Sequence, residues 1–127
     1  MEMEKIINNY LKALEEGNYE EIISLFAPHA LVLSPLYGKV KAIEFYRDLL
    51  QDTSNSNITL MNTFTNPSNT RVGAGHFRYD WTMKDGTPTS FECVDIFYLN
   101  AEQQIEKLSI IYDTASTTRK AFENLDK

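Results

Sequence analysis

Apolar residues recur every three to four positions in the first part of the chain and every second position from Ile58 onward, so helices come first and strands follow. Ile6, Ile7, Tyr10, Leu11 and Leu14 form one stripe, with Gly17 as a stop, and predict an amphipathic opening helix that carries Tyr10 on its buried side. Asn18 has the character of a cap, with Glu21 three residues on. Ile22, Ile23, Leu25 and Phe26 then supply a second helical face that Pro28 ends. A short strand is expected over 30–34. After Pro35 and Gly38, the spacing of Val40, Ile43, Tyr46 and Leu50 predicts a third helix, and the polar stretch 51–57 reads as a loop.

The period-two region is broken by turn signals at Asn66-Pro67-Ser68-Asn69, Asp85-Gly86 and Asn100-Ala101-Glu102, which predicts a four-strand antiparallel meander. The strands over 71–83 and 87–99 are long, and Gly73 with Gly75 offers places for a sharp bend. Phe77, Tyr79 and Trp81 share one face, and His76, Arg78, Asp80 and Thr82 the other. In the last strand Leu108, Ile110 and Tyr112 alternate with Lys107, Ser109, Ile111 and Asp113, and Ser116 or Thr117 is positioned to cap a short terminal helix through Leu125. Three helices and a strand followed by four strands read as an α+β fold, with the helices on one side of a bent sheet whose concave face is apolar.

Composition narrows the function. With 127 residues, 43% of them hydrophobic, the chain is expected to form a single domain over 1–127. A net charge of -6 with scattered basic residues argues against a nucleic-acid partner, whose phosphates select clustered Lys and Arg. No apolar run approaches membrane-spanning length, and the opening residues lack the basic and apolar regions of a signal peptide. Cys93 is the one cysteine, which suits a reducing compartment, and the cytoplasm is the expected location.

Asp95 carries the chemistry. In the run Phe91-Glu92-Cys93-Val94-Asp95-Ile96-Phe97 it shares a strand face with two phenyl rings and a thiol. An acid there must be paired, hydrated or neutral, because burial penalises the lone anion. Keeping it neutral at pH 7 corresponds to about 4 kcal/mol against the charged form, from an ordinary pKa near 3.9. A neutral acid is a hydrogen-bond donor, and donors in apolar pockets hold ligands. The bland alternative is a Tyr10–Asp95 hydrogen bond that only satisfies two buried groups.

The order of elements resembles the nuclear-transport-factor-two-like superfamily, which includes ketosteroid isomerases and SnoaL-like polyketide cyclases. The resemblance rests on 10–18 (YLKALEEGN), 25–30 (LFAPHA), 42–46 (AIEFY) and 94–97 (VDIF) and spans nearly the whole chain. It implies a cone-shaped roll in which three N-terminal helices pack on a strongly curved, mostly antiparallel sheet. It also implies dimerisation through the outer sheet face. Against ketosteroid isomerase, Tyr10 falls on the oxyanion-hole tyrosine, Asp95 on the protonated acid and Tyr46 on a tyrosine that supports the first through a hydroxyl network. Ser34 stands where those isomerases carry the aspartate that moves the proton. A serine without a nearby base does not abstract a proton from carbon, so the fold is better indicated than the activity.

The expected site therefore has Tyr10 and Asp95 as polar contacts. Its wall comprises Val32, Ser34, Tyr46, Phe77, Tyr79, Trp81, Cys93, Phe97, Leu108, Ile110 and Tyr112, and its ligand is small, hydrophobic or oxygen-bearing. The resemblance suggests that Tyr112-Asp113 borders the cavity, but parity sends Asp113 outward when Tyr112 points inward, which makes it a weak replacement base. His29 and His76 form no metal-ligand spacing with Cys93, so neither metal nor cofactor is expected. Gly73-Ala74-Gly75 lacks the third glycine of a dinucleotide fingerprint. Three readings follow: an isomerase- or cyclase-like enzyme working through an enol or carbonyl intermediate, a ligand-binding module without turnover, and a structural dimer whose cavity is filled by its own rings.

Overall fold

The computed structural model describes residues 2–115 and 118–125. Helices α1 (Glu2–Glu16) and α2 (Tyr19–Ser24) open the chain and lead into strands β1 (Phe26–Ser34) and β2 (Gly38–Lys41). Helix α3 (Ala42–Gln51) follows, then β3 (Thr53–Thr65), β4 (Val72–Met83), β5 (Pro88–Leu99) and β6 (Ile105–Ile111), with a short α4 (Thr118–Glu123) at the end. The six strands form one sheet in the order β2-β1-β6-β5-β4-β3. Every neighbouring pair is antiparallel except β1 with β6. This is the α+β arrangement expected, a mostly antiparallel sheet with α1 and α3 packed against it.

The α1 stripe lies in the core as its spacing predicts, with Ile7 and Tyr10 almost fully enclosed. Asn18 caps α2 by accepting from the backbone N–H of Glu21 at 3.1 Å. The turns at 66–69, 85–86 and 100–102 fall between the strands they were expected to separate.

Several boundaries differ from the sequence reading. Helix α2 stops at Ser24, and Phe26 already belongs to β1, which runs through Pro28. That proline is tolerated because β1 and β6 are out of register between Phe26 and Leu31, where no ladder bond requires its missing N–H. The short β2 was not foreseen. In α3 the buried stripe is Ala42, Phe45, Tyr46 and Leu49, whereas Ile43 is 48% exposed and Val40 lies in β2. The expected loop over 51–57 is largely the start of β3, whose polar residues suit an edge strand that pairs with β4 on one side only.

Gly73 and Gly75 meet a second requirement beside the bend expected of them. A Cβ at Gly73 would lie 2.5 Å from Met3 Cγ, and one at Gly75 would lie 3.0 Å from Ile7 Cγ2. Their missing side chains let α1 sit close on the sheet. Pairing slips in β3 between Thr53 and Asn55 and between Leu60 and Asn62, and also where β6 meets β1 and β5. The caps proposed at Ser116 or Thr117 lie outside the described residues. No helix among the described residues is long and apolar enough to cross a membrane.

Candidate functional site

The period-two pattern of β4 and β5 turns one row of side chains toward the helices and the other toward the outside. Phe77, Tyr79 and Trp81 are buried on the inner face, while His76, Arg78 and Asp80 face outward. On β5 the inner row is Thr89, Phe91, Cys93, Asp95, Phe97 and Leu99. Asp95 is only 1% exposed, opposite Gly75 on one neighbouring strand and Ile110 on the other.

A hollow of about 40 Å³ lies between this face and helices α1 and α3. Of the residues expected at the site, Tyr10, Ser34, Phe77, Tyr79, Trp81, Cys93, Asp95, Ile110 and Tyr112 line it. Val32, Tyr46, Phe97 and Leu108 do not; all four are fully enclosed in the core behind the wall. Leu14, Tyr37, Phe45, Leu49 and Phe91 also line the hollow and were not assigned to it from sequence. Phe45 and Leu49 stand four apart on the buried face of α3, a signal masked by choosing the stripe one residue off. Tyr37 lies in the turn between β1 and β2, where no periodicity marks an inward side chain.

The polar groups of the wall are mostly tied to protein. The Tyr10 and Tyr46 hydroxyls lie 2.5 Å apart, and those of Tyr79 and Ser56 lie 2.8 Å apart. Tyr37 donates to Asp52 Oδ2 at 2.6 Å, and Trp81 Nε1 donates to Thr53 Oγ1 at 2.8 Å. Tyr10 also packs edge-on against Phe97, at 5.4 Å between ring centres. Burial first, then the neighbouring Tyr46 and Asp95, pushes the Tyr10 phenol far above its ordinary pKa. Burial does the same for Tyr46 and, more moderately, Tyr79. These phenols stay protonated.

Asp95 is the exception. Its Oδ1 accepts from Cys93 Sγ at 3.1 Å, and its other oxygen has no hydrogen-bond partner among the described residues. Burial raises its pKa to about 7, with the thiol hydrogen bond pulling the other way. The same burial, with the carboxylate alongside, pushes the Cys93 thiol well above its usual range, so it is a proton donor and a poor nucleophile. With Oδ1 receiving the thiol proton, the acid's own proton belongs on Oδ2. The Tyr10–Asp95 hydrogen bond of the bland alternative does not form, since Tyr10 pairs with Tyr46 instead.

Two candidates for a proton-moving group are committed to backbone N–H groups. Ser34 Oγ accepts from the backbone N–H of Leu36 at 3.2 Å and of Tyr37 at 3.1 Å, which fixes the turn after β1 and occupies its lone pairs. Asp113, past the end of β6, is exposed and accepts from the backbone N–H of Ala115 at 2.8 Å, and it does not line the hollow. On the outer face His76 Nε2 meets Glu92 Oε1 at 2.9 Å, and no group of His, Cys, Asp or Glu among the described residues is arranged to hold a metal ion.

No family model matches the sequence, and no curated protein does. Solved structures do. An NTF2-like protein of unknown function from Exiguobacterium sp. 255-15 superposes over 89% of this chain and 98% of its own with a TM-score of 0.68 at 15% identity. The chain has the NTF2-like fold. A SnoaL-like protein of unknown function from Burkholderia thailandensis E264 shares that fold over 87% of this chain and 92% of its own, with a TM-score of 0.68 at 14% identity. So does SalBIII, an epoxide hydrolase/cyclase-like enzyme of pyran ring formation in the polyether salinomycin, over 87% of this chain and 89% of its own, with a TM-score of 0.73 at 17% identity. The NTF2-like fold places α1 and α3 across the concave face of the sheet, which is why Tyr10 and Asp95 border one hollow although they stand 85 positions apart in the sequence.

Proposed function

We propose that this chain binds a small apolar molecule carrying a carbonyl or phenolic oxygen, held by a hydrogen bond from protonated Asp95. The observation that supports this most directly is a carboxyl oxygen with no hydrogen-bond partner among the described residues, on the edge of an otherwise apolar hollow. Tyr10 borders the same hollow, and in the arrangement where Tyr46 is the donor of the phenol pair the Tyr10 proton is left for the ligand oxygen. Donors aimed at one oxygen also stabilise an enolate, so the chemistry this pair suits is enolisation of an isomerase or cyclase kind, as SalBIII is cyclase-like. Among the described residues Asp95 is the one carboxylate of the hollow, and Ser34 is held by its turn, which puts binding ahead of turnover.

The chain is further inferred to pair with a second copy through the outer sheet face, where Phe64, Ala74 and Ile96 form an apolar row across β3, β4 and β5 and Phe64 is 54% exposed. Buried Cys93 suits a reducing compartment such as the cytoplasm.

The volume favours a second reading. A hollow of about 40 Å³ holds a water or two rather than an organic ring, so the cone is nearly filled by its own aromatics. Titrating phenol, 2-naphthol and flat ketones against the intact chain while following Trp81 fluorescence separates the readings. Binding predicts a saturable response that Asp95→Ala abolishes. A self-filled cone predicts none. Deuterium exchange at carbons next to a bound ketone's carbonyl then reports whether binding leads to turnover.

A further inference from the structure

We infer that the ligand site has a second compartment, reached between the ends of β1 and β6 past Tyr112, which takes the apolar tail of the molecule whose oxygen meets Asp95. This rests on the binding reading above and extends it to a class of ligand. Strands β1 and β6 lie side by side only as far as Leu33 and Ser109. Beyond that point β1 turns through Pro35 into β2, while β6 continues to Ile111. The divergence leaves an open groove of about 430 Å³ bordered by Leu33, Pro35, Lys39 and Ile111. Both inward-facing and outward-facing residues of the strand ends border it, Ile110 with Ile111 and Ser34 with Leu33, so the groove cuts into the sheet where pairing has ended.

Ser34, Ile110 and Tyr112 border the groove and the inner hollow alike. The two spaces share a wall. Ser34 is pinned by two backbone N–H groups, and Ile110 is fixed in the β6 ladder opposite Asp95. Tyr112 lies one residue past the end of β6, is half-buried, and its hydroxyl has no hydrogen-bond partner among the described residues. What holds its ring is a stack on half-buried Phe91, at 4.1 Å between centres and 21° between planes. Tyr112 is therefore the part of the wall that swings most readily. Its displacement joins the hollow of about 40 Å³ to a groove that already lies in the range of about 300–1,000 Å³ usual for small-molecule sites. The inner end offers one acidic donor, and the outer end offers Leu33, Pro35 and Ile111. The ligand class that fits is a phenol, enone or ketone head on an unbranched apolar tail.

Calorimetric titration of the intact chain with phenol, 4-ethylphenol, 4-butylphenol and 4-hexylphenol tests this. Each methylene buried in the groove raises affinity roughly fourfold, so affinity is expected to climb along the series. Leu33→Asp and Ile111→Asp are expected to flatten that climb, and Ile111 is 53% exposed, so its replacement spares the fold. Tyr112→Ala is expected to speed association. A series that binds in an Asp95-dependent way without climbing, or that climbs equally in both groove variants, overturns the second compartment and leaves the binding reading standing. No binding by any member overturns both.

Discussion

At position 95 a carboxyl group occupies a wall otherwise made of rings and a thiol, and its proton equilibrium is coupled to stability. The pKa is about 7 in the folded chain and near 3.9 when unfolded. Between those values the folded state holds the proton more tightly, so this group's stabilising share is complete below about pH 4 and is lost as pH rises through 7. The difference corresponds to about 4 kcal/mol. Urea unfolding of wild type and Asp95→Asn across pH 4 to 8 should show wild type losing about that much relative to the variant; parallel curves would count against a raised pKa. Tyr10→Phe leaves the Tyr46 hydroxyl without its partner and is expected to cost about 1–3 kcal/mol. Adding Tyr46→Phe should cost less than the two single changes together, read by a double-mutant cycle. Asp95 and Tyr10 were both legible in the sequence, one from period-two alternation and the other from a helical stripe. The Tyr10–Tyr46 bond joins two helices whose crossing no local pattern specifies, and only the family resemblance, which makes Tyr46 a support of Tyr10 through their hydroxyls, pointed to it.

Elements were legible wherever hydrophobic period and stop signals agreed, as in α1, β4 and β5. They were misread where tertiary context decided. Polar 53–57 forms an edge strand because β4 supplies its partners, and Pro28 sits in a strand because the ladder is interrupted there. Gly73 and Gly75 marked a backbone requirement, but the sequence could not show that the requirement was contact with α1. Gly73→Ala would place a methyl group against Met3 and within 3.0 Å of the Phe64 carbonyl oxygen. It is expected to destabilise the chain by about 1–3 kcal/mol in urea unfolding, and a neutral result would mean that α1 sits farther from the sheet. Asn18→Ala removes the cap of α2 and should cost about 1 kcal/mol by the same measurement.

Over the whole molecule, helices followed by a meander disclosed the fold class, and the NTF2-like solved structures agree with it. The parallel placement of β1 beside β6 was beyond sequence patterning, since it pairs strands distant along the chain. The size of the hollow was equally hidden, because it depends on how fourteen side chains meet. The outer face yields its own prediction. Ile96→Asp puts a charge in the apolar row and should convert a dimer to a folded monomer in sedimentation; a wild-type chain that already sediments as a monomer would remove the proposed pairing.

The account depends on an acid at the edge of an apolar hollow that holds its proton up to about pH 7. Carbon NMR of the Asp95 carboxyl, titrated from pH 3 to 9, measures this directly. A midpoint near 7 is the predicted result, and ionisation near the ordinary aspartate value of about 4 would contradict it.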